Sequence, residues 1–501
     1  MGILFSIDKR SKEPVFRQIM DRIIGLVDSG ALLPGARVPS SRSMAEQLDV
    51  NRSTVYRAYQ ELWSMGYLES RPGSYSRVRQ RVRVASAPGK RRPPLIHWQG
   101  RCTGPTRDLY ADSVRQAALV GPLAGGDVID FVPLAPDSRC FPLDAFRKCM
   151  NQALSRDGET LLQYGSPLGY GPLRTVIAER MRLHSMNVSA DNIIITTGAQ
   201  NAIQLLVQAL AGPGDRVVIE TPTYARAMDI FRLVGVEMTP VAMNASGMDL
   251  TALERCLDRA APVMIYTIPN FHNPTGITTD QVHRETLLRI CEDRAIPLVE
   301  DGFEEELKYF GKPVLPIKSM DRRGVVVYLG TFSKVLFPGL RIGWVAAEEG
   351  LIDHLAVVQR ASIISGNLLD QAALARFCRQ GHYDRHVRRF HRIYRRRMQT
   401  AIDALETHFP RQHVTWTRPA GGYTLWVGLR HLQMDEPGLL RAIAAHNVRV
   451  MPGSVHFHGD CRALSFRLSI AQLDESQIET GIGRLGRVLG RLYEKRTSAH
   501  R

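Results

Sequence analysis

The stretch Gly330-Thr-Phe-Ser-Lys-Val-Leu-Phe-Pro-Gly-Leu-Arg-Ile-Gly343 decides how most of this chain is read. The apolar run Val325–Leu329 leads into it, so a strand is expected to end just before Thr331, Ser333 and Lys334, and Arg341 follows seven residues after the lysine. An amine beyond the carboxyl end of a strand, with hydroxyls beside it and a guanidinium downstream, suits an imine-forming ligand that also carries a phosphate. A lone lysine is ordinarily a surface charge, whereas Ser-Lys ahead of Pro-Gly-Leu-Arg-Ile-Gly is a specific pattern.

Working back from this segment, the apolar runs Ile193–Thr197, Arg216–Glu220, Val263–Ile268 and Pro297–Glu300 alternate with amphipathic stretches. That alternation predicts an α/β fold with a mostly parallel sheet, in which ligands bind at the carboxyl ends of the strands. Chemistry-bearing residues fall at those ends. Thr197-Gly198-Ala199-Gln200 follows a strand and opens a helix, so its backbone N–H groups can face a phosphate. Tyr224 can stack on a ring, Asn273 in His272-Asn-Pro-Thr-Gly276 can donate to a phenolate oxygen, and Asp301 closes Pro297-Leu-Val-Glu-Asp. Pyridoxal phosphate needs a lysine for its imine, a carboxylate for its pyridine nitrogen, donors for its phenolate oxygen, a phosphate cradle and a ring stack. Lys334, Asp301, Asn273, the Gly198–Gln200 turn with Thr331, Ser333 and Arg341, and Tyr224 supply them in that order, with Lys334 as the catalytic lysine.

These segments resemble the fold-type I aminotransferases over roughly residues 125–490. The resemblance implies a smaller C-terminal α/β subdomain and two further site residues. Tyr164, with Gly169, looks like the tyrosine that reaches the neighbouring subunit's phosphate, and Arg467 in Leu464-Ser-Phe-Arg-Leu-Ser looks like the arginine that grips a substrate α-carboxylate. Gly421-Gly422 and Met451-Pro-Gly-Ser also match. One position departs: Phe303 stands where the family commonly has a tyrosine that donates to the phenolate oxygen, so tuning of the imine is expected to differ.

A second pattern, Val38-Pro-Ser-Ser-Arg-Ser-Met-Ala-Glu-Gln-Leu-Asp-Val-Asn-Arg-Ser-Thr-Val-Tyr56, lies near the start. Before it, Val15, Ile19, Ile23, Ile24 and Val27 keep helical spacing, and Gly30 with Pro34-Gly35 ends that segment. Ser40 and Ser41 offer caps for a short second helix with Met44, Ala45 and Leu48 inward. After a turn through Asp49-Val50-Asn51, a third helix carries Val55, Ala58, Tyr59 and Leu62 on one face and Arg52, Ser53, Tyr56 and Arg57 on the other. Outward residues of such a helix enter a major groove, where arginine binds guanine O6 and N7 in bidentate fashion and Ser53 and Thr54 suit phosphates or base edges. Gly66-Tyr-Leu-Glu-Ser-Arg-Pro-Gly-Ser-Tyr-Ser-Arg-Val78 predicts two short strands around a turn at Pro72-Gly73.

Residues 8–80 thereby resemble the GntR-type winged helix-turn-helix, through Pro14, Pro34-Gly35, Pro39-Ser40-Ser41-Arg42, Arg52-Ser53-Thr54-Val55 and Gly66-Tyr67-Leu68. The resemblance implies DNA contacts from Arg37, Ser40, Arg42, Arg52, Ser53, Thr54, Arg57 and Gly73. The wing departs, with Gly73-Ser-Tyr-Ser-Arg-Val in place of the usual Gly-Ser-Gly-Thr-Phe-Val.

Charge agrees with this reading. The 501 residues carry a formal +16, and residues 1–107 alone hold 19 Lys and Arg against 8 Asp and Glu, which points to a polyanion for the N-terminal part. Residues 81–107 are basic and proline-containing without periodicity and are read as a linker, leaving 108–501 as the effector and dimerisation domain. A second basic run, Arg385–Arg397, is read as a solvated helix face. Seven cysteines with no Cys-x-x-Cys pair exclude a disulfide framework and a zinc site, so no metal is expected, and the chain is placed in a reducing bacterial cytoplasm on the nucleoid. No apolar run is long enough for a bilayer, and the opening Met-Gly-Ile-Leu-Phe-Ser is read as a chance match to a myristoylation pattern.

Winged helix, basic linker and aminotransferase-like domain in this order resemble the MocR-type subfamily of GntR regulators. The resemblance implies a head-to-tail homodimer that binds double-stranded operator DNA and senses pyridoxal phosphate or an amino-acid or amine effector through the imine at Lys334. Transamination is then expected to be slow or to stop after a half-reaction. The competing readings are an aminotransferase with vestigial DNA binding and a repressor whose C-terminal half serves only dimerisation.

Overall fold

Three helices build the N-terminal unit, the second and third of them capped by side chains: Val15–Asp28 (α1), Ser41–Leu48 (α2) and Arg52–Ser64 (α3). The Ser40 side chain accepts the Ser43 N–H at 3.1 Å and Asn51 Oδ1 accepts the Ser53 N–H at 2.9 Å. Each cap satisfies an amide left without a partner by the first helical turn, which is worth about 1 kcal/mol. Asp49, at φ +50°, makes the left-handed turn between α2 and α3, and Lys9 Nζ reaches its carboxylate at 2.6 Å. Ile19, Ile23, Met44, Val55, Ala58 and Leu62 form the core, and buried Tyr59 donates its hydroxyl to the Pro39 carbonyl at 2.8 Å. Leu68–Glu69 (β1) and Arg77–Val78 (β2) pair antiparallel, as expected of a wing.

The computed structural model describes residues 5–9, 11, 13–70, 75–79, 95–121, 127–459 and 463–499. The wing turn at Pro72-Gly73 lies outside the described residues. The chain divides into two units, residues 1–96 and 97–501. Within the stretch expected to be a linker, residues 81–94 are likewise outside the described set, but its far end corrects the expectation: Trp98–Arg101 is helical, and a helix runs from Gly104 to Val120.

In the second unit, Ile129–Asp130 (β3) precedes the main sheet, whose strands are Ile193–Thr196 (β4), Arg216–Thr221 (β5), Glu237–Asn244 (β6), Gly247–Met248 (β7), Met264–Thr267 (β8), Leu298–Asp301 (β9), Val326–Thr331 (β10) and Gly343–Ala346 (β11). Their order is β4-β11-β10-β9-β8-β5-β6-β7. The run β10-β9-β8-β5-β6 is parallel, with β11 antiparallel between β4 and β10. Alternate residues go to opposite sides. Val217, Ile219, Val299 and Val327 enter one core and Val218, Ile265, Leu298 and Val326 the other. Burial of both faces is why these strands read as unbroken apolar runs.

A smaller C-terminal portion holds a second sheet, from Val414–Trp416 (β12), Thr424–Leu429 (β13), Met451–Pro452 (β15) and Ser465–Ser469 (β16), in the order β12-β13-β16-β15, while Val448–Arg449 (β14) pairs with β3. Long helices His382–His408 and Glu475–Ala499 pack together beside it. The basic run lies on the first of them. Arg385, Arg388, Arg389, Arg392, Arg395 and Arg396 are exposed as expected of a solvated face, but Arg397 is buried and pairs with Asp137 at 2.7 Å. Among the described residues, no helix is long and apolar enough to cross a membrane.

Gly330 stands directly opposite Trp344 across β10 and β11, and a Cβ at 330 would lie 2.1 Å from the indole. Gly330→Ala is therefore expected to cost about 1–3 kcal/mol through overpacking, read as a lowered thermal unfolding midpoint.

Candidate functional site

The carboxyl ends of β4, β5, β8, β9 and β10 open on one cleft. It is lined by Ala199, Gln200, Tyr224, Asn273, Asp301, Thr331, Ser333, Lys334 and Arg341, nine of the residues singled out from sequence, together with Leu134, Ile268 and Phe303.

One end of the cleft is a cradle for an anion. The helix Ala199–Leu210 starts there, with Gly198 at φ +104° as its N-cap, so the first amides of a twelve-residue helix face the cleft without intrahelical partners. A Cβ at 198 would lie 2.9 Å from Arg341 Nη2, so only glycine lets the backbone come this close to the guanidinium. Arg341 itself sits at φ +52° and donates to the Thr197 carbonyl at 2.7 Å. Thr331 Oγ1 accepts the Ser333 N–H at 3.1 Å, which fixes both hydroxyls beside the cradle.

The other end is set by Asp301. Its Oδ2 accepts the Tyr266 hydroxyl at 2.6 Å, and its Oδ1, fully buried, has no hydrogen-bond partner among the described residues. Burial pushes the Asp301 carboxyl up to about 6, against the pull of the Tyr266 hydrogen bond, the Phe303 amide and Lys334. Lys334 is partly buried and donates from Nζ to the Leu134 carbonyl at 2.8 Å. Burial lowers the proton affinity of its amine, and Glu304 acts most strongly in the opposite direction. Tyr224 donates to Gln200 Oε1 at 3.3 Å, and burial pushes its phenol up to about 12, so it stays neutral.

Two predicted residues stand differently from the rest. Arg467 is buried beside the cleft, but its guanidinium is engaged, with Nη1 donating to Asn273 Oδ1 at 3.1 Å and Nη2 to the Val132 carbonyl at 2.7 Å. Tyr164 is 81% exposed and does not line the cleft. Sequence reasoning missed Tyr266 and Glu304. Tyr266 is signalled only by its place on β8, the neighbour of the strand that ends in Asp301.

On the N-terminal unit, Arg52, Ser53, Tyr56 and Arg57 are exposed on the face of α3 away from its core. Some expected contacts already have other partners. Ser40 is spent on the α2 cap, Arg57 lies over the Phe16 ring at 4.1 Å, Arg37 lies over Tyr75 at 5.4 Å, and Arg42 pairs with Glu46 at 3.5 Å. Arg52 Nε is 3.5 Å from Ser41 Oγ, Ser53 bonds Asn51, and Thr54 is partly buried. Gly73 lies outside the described residues.

Residues 134–485 match the aminotransferase class I and II family, and residues 16–78 match the bacterial regulatory proteins of the gntR family. The chain is 29% identical to the "Probable rhizopine catabolism regulatory protein MocR" of Rhizobium meliloti over 96% of this chain and 94% of that protein. It is 32% identical to aromatic-amino-acid aminotransferase 1 of Thermococcus litoralis over 79% of this chain and 95% of that enzyme. Among solved structures, LysN, the alpha-aminoadipate aminotransferase of Thermus thermophilus complexed with N-(5'-phosphopyridoxyl)-L-leucine, is similar with a TM-score of 0.73 and 30% identity, covering 80% of this chain and all of that one.

Because the folded state holds the Asp301 proton more tightly than the unfolded chain, this carboxyl favours folding fully below about pH 4, and that contribution is lost as pH rises through about 6. Asp301→Asn is accordingly expected to stabilise the cofactor-free protein relative to wild type at pH 7, by up to about 3 kcal/mol, with the difference vanishing near pH 4. Urea unfolding at the two pH values checks it.

Proposed function

Because the chain belongs to the aminotransferase class I and II family and carries a GntR-family module ahead of that domain, as MocR-type regulators do, we propose that it is a DNA-binding transcriptional regulator whose pyridoxal phosphate site reads an amino compound. The observation that carries this reading is the coexistence, in one chain, of an arginine-bearing helix-turn-helix and a cleft holding Lys334, Asp301 and Arg341 together.

The residues present fit the cofactor. Asp301 Oδ1, buried without a hydrogen-bond partner among the described residues, is an acceptor suited to a protonated ring nitrogen, and the Gly198 turn with Arg341 is a cradle that any added Cβ would fill. In this reading Lys334 holds the cofactor covalently, Asp301 holds its ring nitrogen, and Tyr224 stacks on the ring. Asn273 donates to the phenolate oxygen, while Gly198–Gln200, Thr331, Ser333 and Arg341 bind the phosphate. When bound, the group supplies an aldehyde carbon that condenses with amines and a ring that accepts electron density. Tyr266 keeps Asp301 oriented, and burial keeps the Lys334 amine able to give up its proton.

Arg467 binds the carboxylate of an amino-acid effector after exchanging its present partner on Asn273. Exposed Tyr164 and the neighbouring Leu162, 70% exposed, suit a second copy of this chain, consistent with a head-to-tail homodimer in which Tyr164 serves the partner's phosphate site. Sensing needs no turnover, because a ligand that binds two states of the protein unequally by about 1–3 kcal/mol shifts DNA affinity roughly 5–150-fold.

The test is a visible spectrum of the purified protein joined to operator binding. A cofactor band that Lys334→Ala abolishes, and an amine that shifts both the band and DNA affinity, are expected, with Arg467→Ala weakening only carboxylate-bearing amines. Rapid multiple-turnover transamination with no effect of the amine on DNA binding would overturn the regulator reading. On the DNA side, Arg52→Ala is expected to lose about 1–3 kcal/mol and to relax specificity at one base pair, whereas loss of a phosphate contact weakens all sequences alike. Titrations of operator and scrambled duplex across salt concentrations separate the two.

A further inference from the structure

Three consecutive glutamates follow Phe303, and the fold treats them unequally. Glu305 accepts from Asn270, and Glu306 pairs with Arg180 at 2.8 Å. Glu304 alone of the three is fully buried, 1% exposed. Its Oε2 accepts the Tyr423 N–H at 3.3 Å, and its Oε1 has no hydrogen-bond partner among the described residues. A carboxylate out of water with an oxygen unsatisfied is costly unless a buried cation answers it.

The surroundings show which cation does. The Tyr423 hydroxyl donates to the Lys334 carbonyl, so one residue grips Glu304 by its amide and the lysine by its ring. Gly422 makes the grip possible, since a Cβ there would lie 2.5 Å from Glu304 Oε2. The charged and titratable groups acting on Glu304 are Lys334, Arg467 and Asp301, with the phenols of Tyr309 and Tyr423 packed beside it. Both Nη atoms of Arg467 are taken by Asn273 and Val132. Of the cations acting on Glu304, Lys334 is the one whose main chain Tyr423 ties to it, and it acts on the carboxylate more strongly than Arg467 does.

We propose that Glu304 is the internal counter-charge of the Lys334 nitrogen, a positioning residue that sets how firmly this nitrogen holds a proton. A phenol at 303 would stabilise the phenolate of the bound cofactor and so favour an unprotonated nitrogen. With phenylalanine there, a buried negative charge tips the balance the other way. Burial raises the proton affinity of Glu304 itself, so the two groups titrate together rather than separately. The protein thereby keeps Lys334 poised for proton exchange without a tyrosine.

This inference rests on the cofactor reading above, and its test keeps the two apart. In cofactor-loaded protein, the pH midpoint of the visible band is expected to fall by about one to two units in Glu304→Gln, which keeps the acceptor for Tyr423 but loses the charge, and to return toward wild type in Glu304→Asp. A band present in all three proteins with an unchanged midpoint overturns the proposal and leaves the cofactor reading intact. Absence of any band in wild type overturns the cofactor reading instead. Should the glutamine variant not retain the cofactor, the cofactor-free proteins decide. The pH dependence of trinitrobenzenesulfonate labelling at Lys334, read by peptide mass spectrometry, is expected to shift to lower pH in the variant by the same amount, and an unshifted profile overturns the proposal.

Discussion

Folding of the second unit takes Asp301, Glu304 and Arg467 out of water together, with Lys334 partly buried beside them, and among the described residues it leaves Asp301 Oδ1, Glu304 Oε1 and Arg467 Nε without hydrogen-bond partners. Each such atom forfeits its hydration without full compensation, a penalty of about 1–3 kcal/mol in mutational data. No local helix or turn offsets a cost of that size. The rest of the unit supplies the offset, through a sheet buried on both faces and two apolar layers that hold the strand ends in place.

Parallel pairing converts that scaffold into a site. Register places Leu329 opposite Asp301 and Glu300 opposite Thr267, so the residues that follow β8, β9 and β10 emerge on one edge within reach of one another. Glycine then makes room where side chains would collide. A Cβ at Gly302 would meet the Tyr328 hydroxyl at 2.1 Å, just after the strand that carries Asp301. The chain turns away from the sheet at that point without a clash, and Phe303 and Glu304 reach the site by it.

Much of this was legible in the sequence, for a physical reason. Strands buried on both faces announce themselves as apolar runs, and the site residues follow them directly. β6 carries Pro240, which reads against a strand, yet the residue sits near the edge of the sheet, where the missing amide is tolerated. β11 is only four residues long and begins two residues after Arg341, at the last residue of the lysine segment. Tyr266 and Glu304 escaped because their importance lies in partners far away in sequence: 35 residues for Tyr266 and Asp301, 119 for Glu304 and Tyr423. In the first unit the helical faces were readable from periodicity, but not that Phe16 would engage Arg57 or that Ser40 would be spent on a cap.

The same buried charges bear on why an aminotransferase scaffold suits a sensor. An enzyme must pass protons and ligands through its site repeatedly, and a tyrosine beside the phenolate oxygen helps by favouring an unprotonated imine. With Phe303 in that place and buried Glu304 next to it in sequence, the proton balance at Lys334 is set, in the reading proposed above, by a carboxylate rather than by a phenol. Arg467 adds a conformational consequence in that reading: a ligand carboxylate taken up at its Nη1 would exchange with Asn273, which lines the same cleft as Lys334. Ligand entry therefore exchanges one buried hydrogen-bond arrangement for another, and the difference in free energy between the two is what a DNA-binding unit can be coupled to.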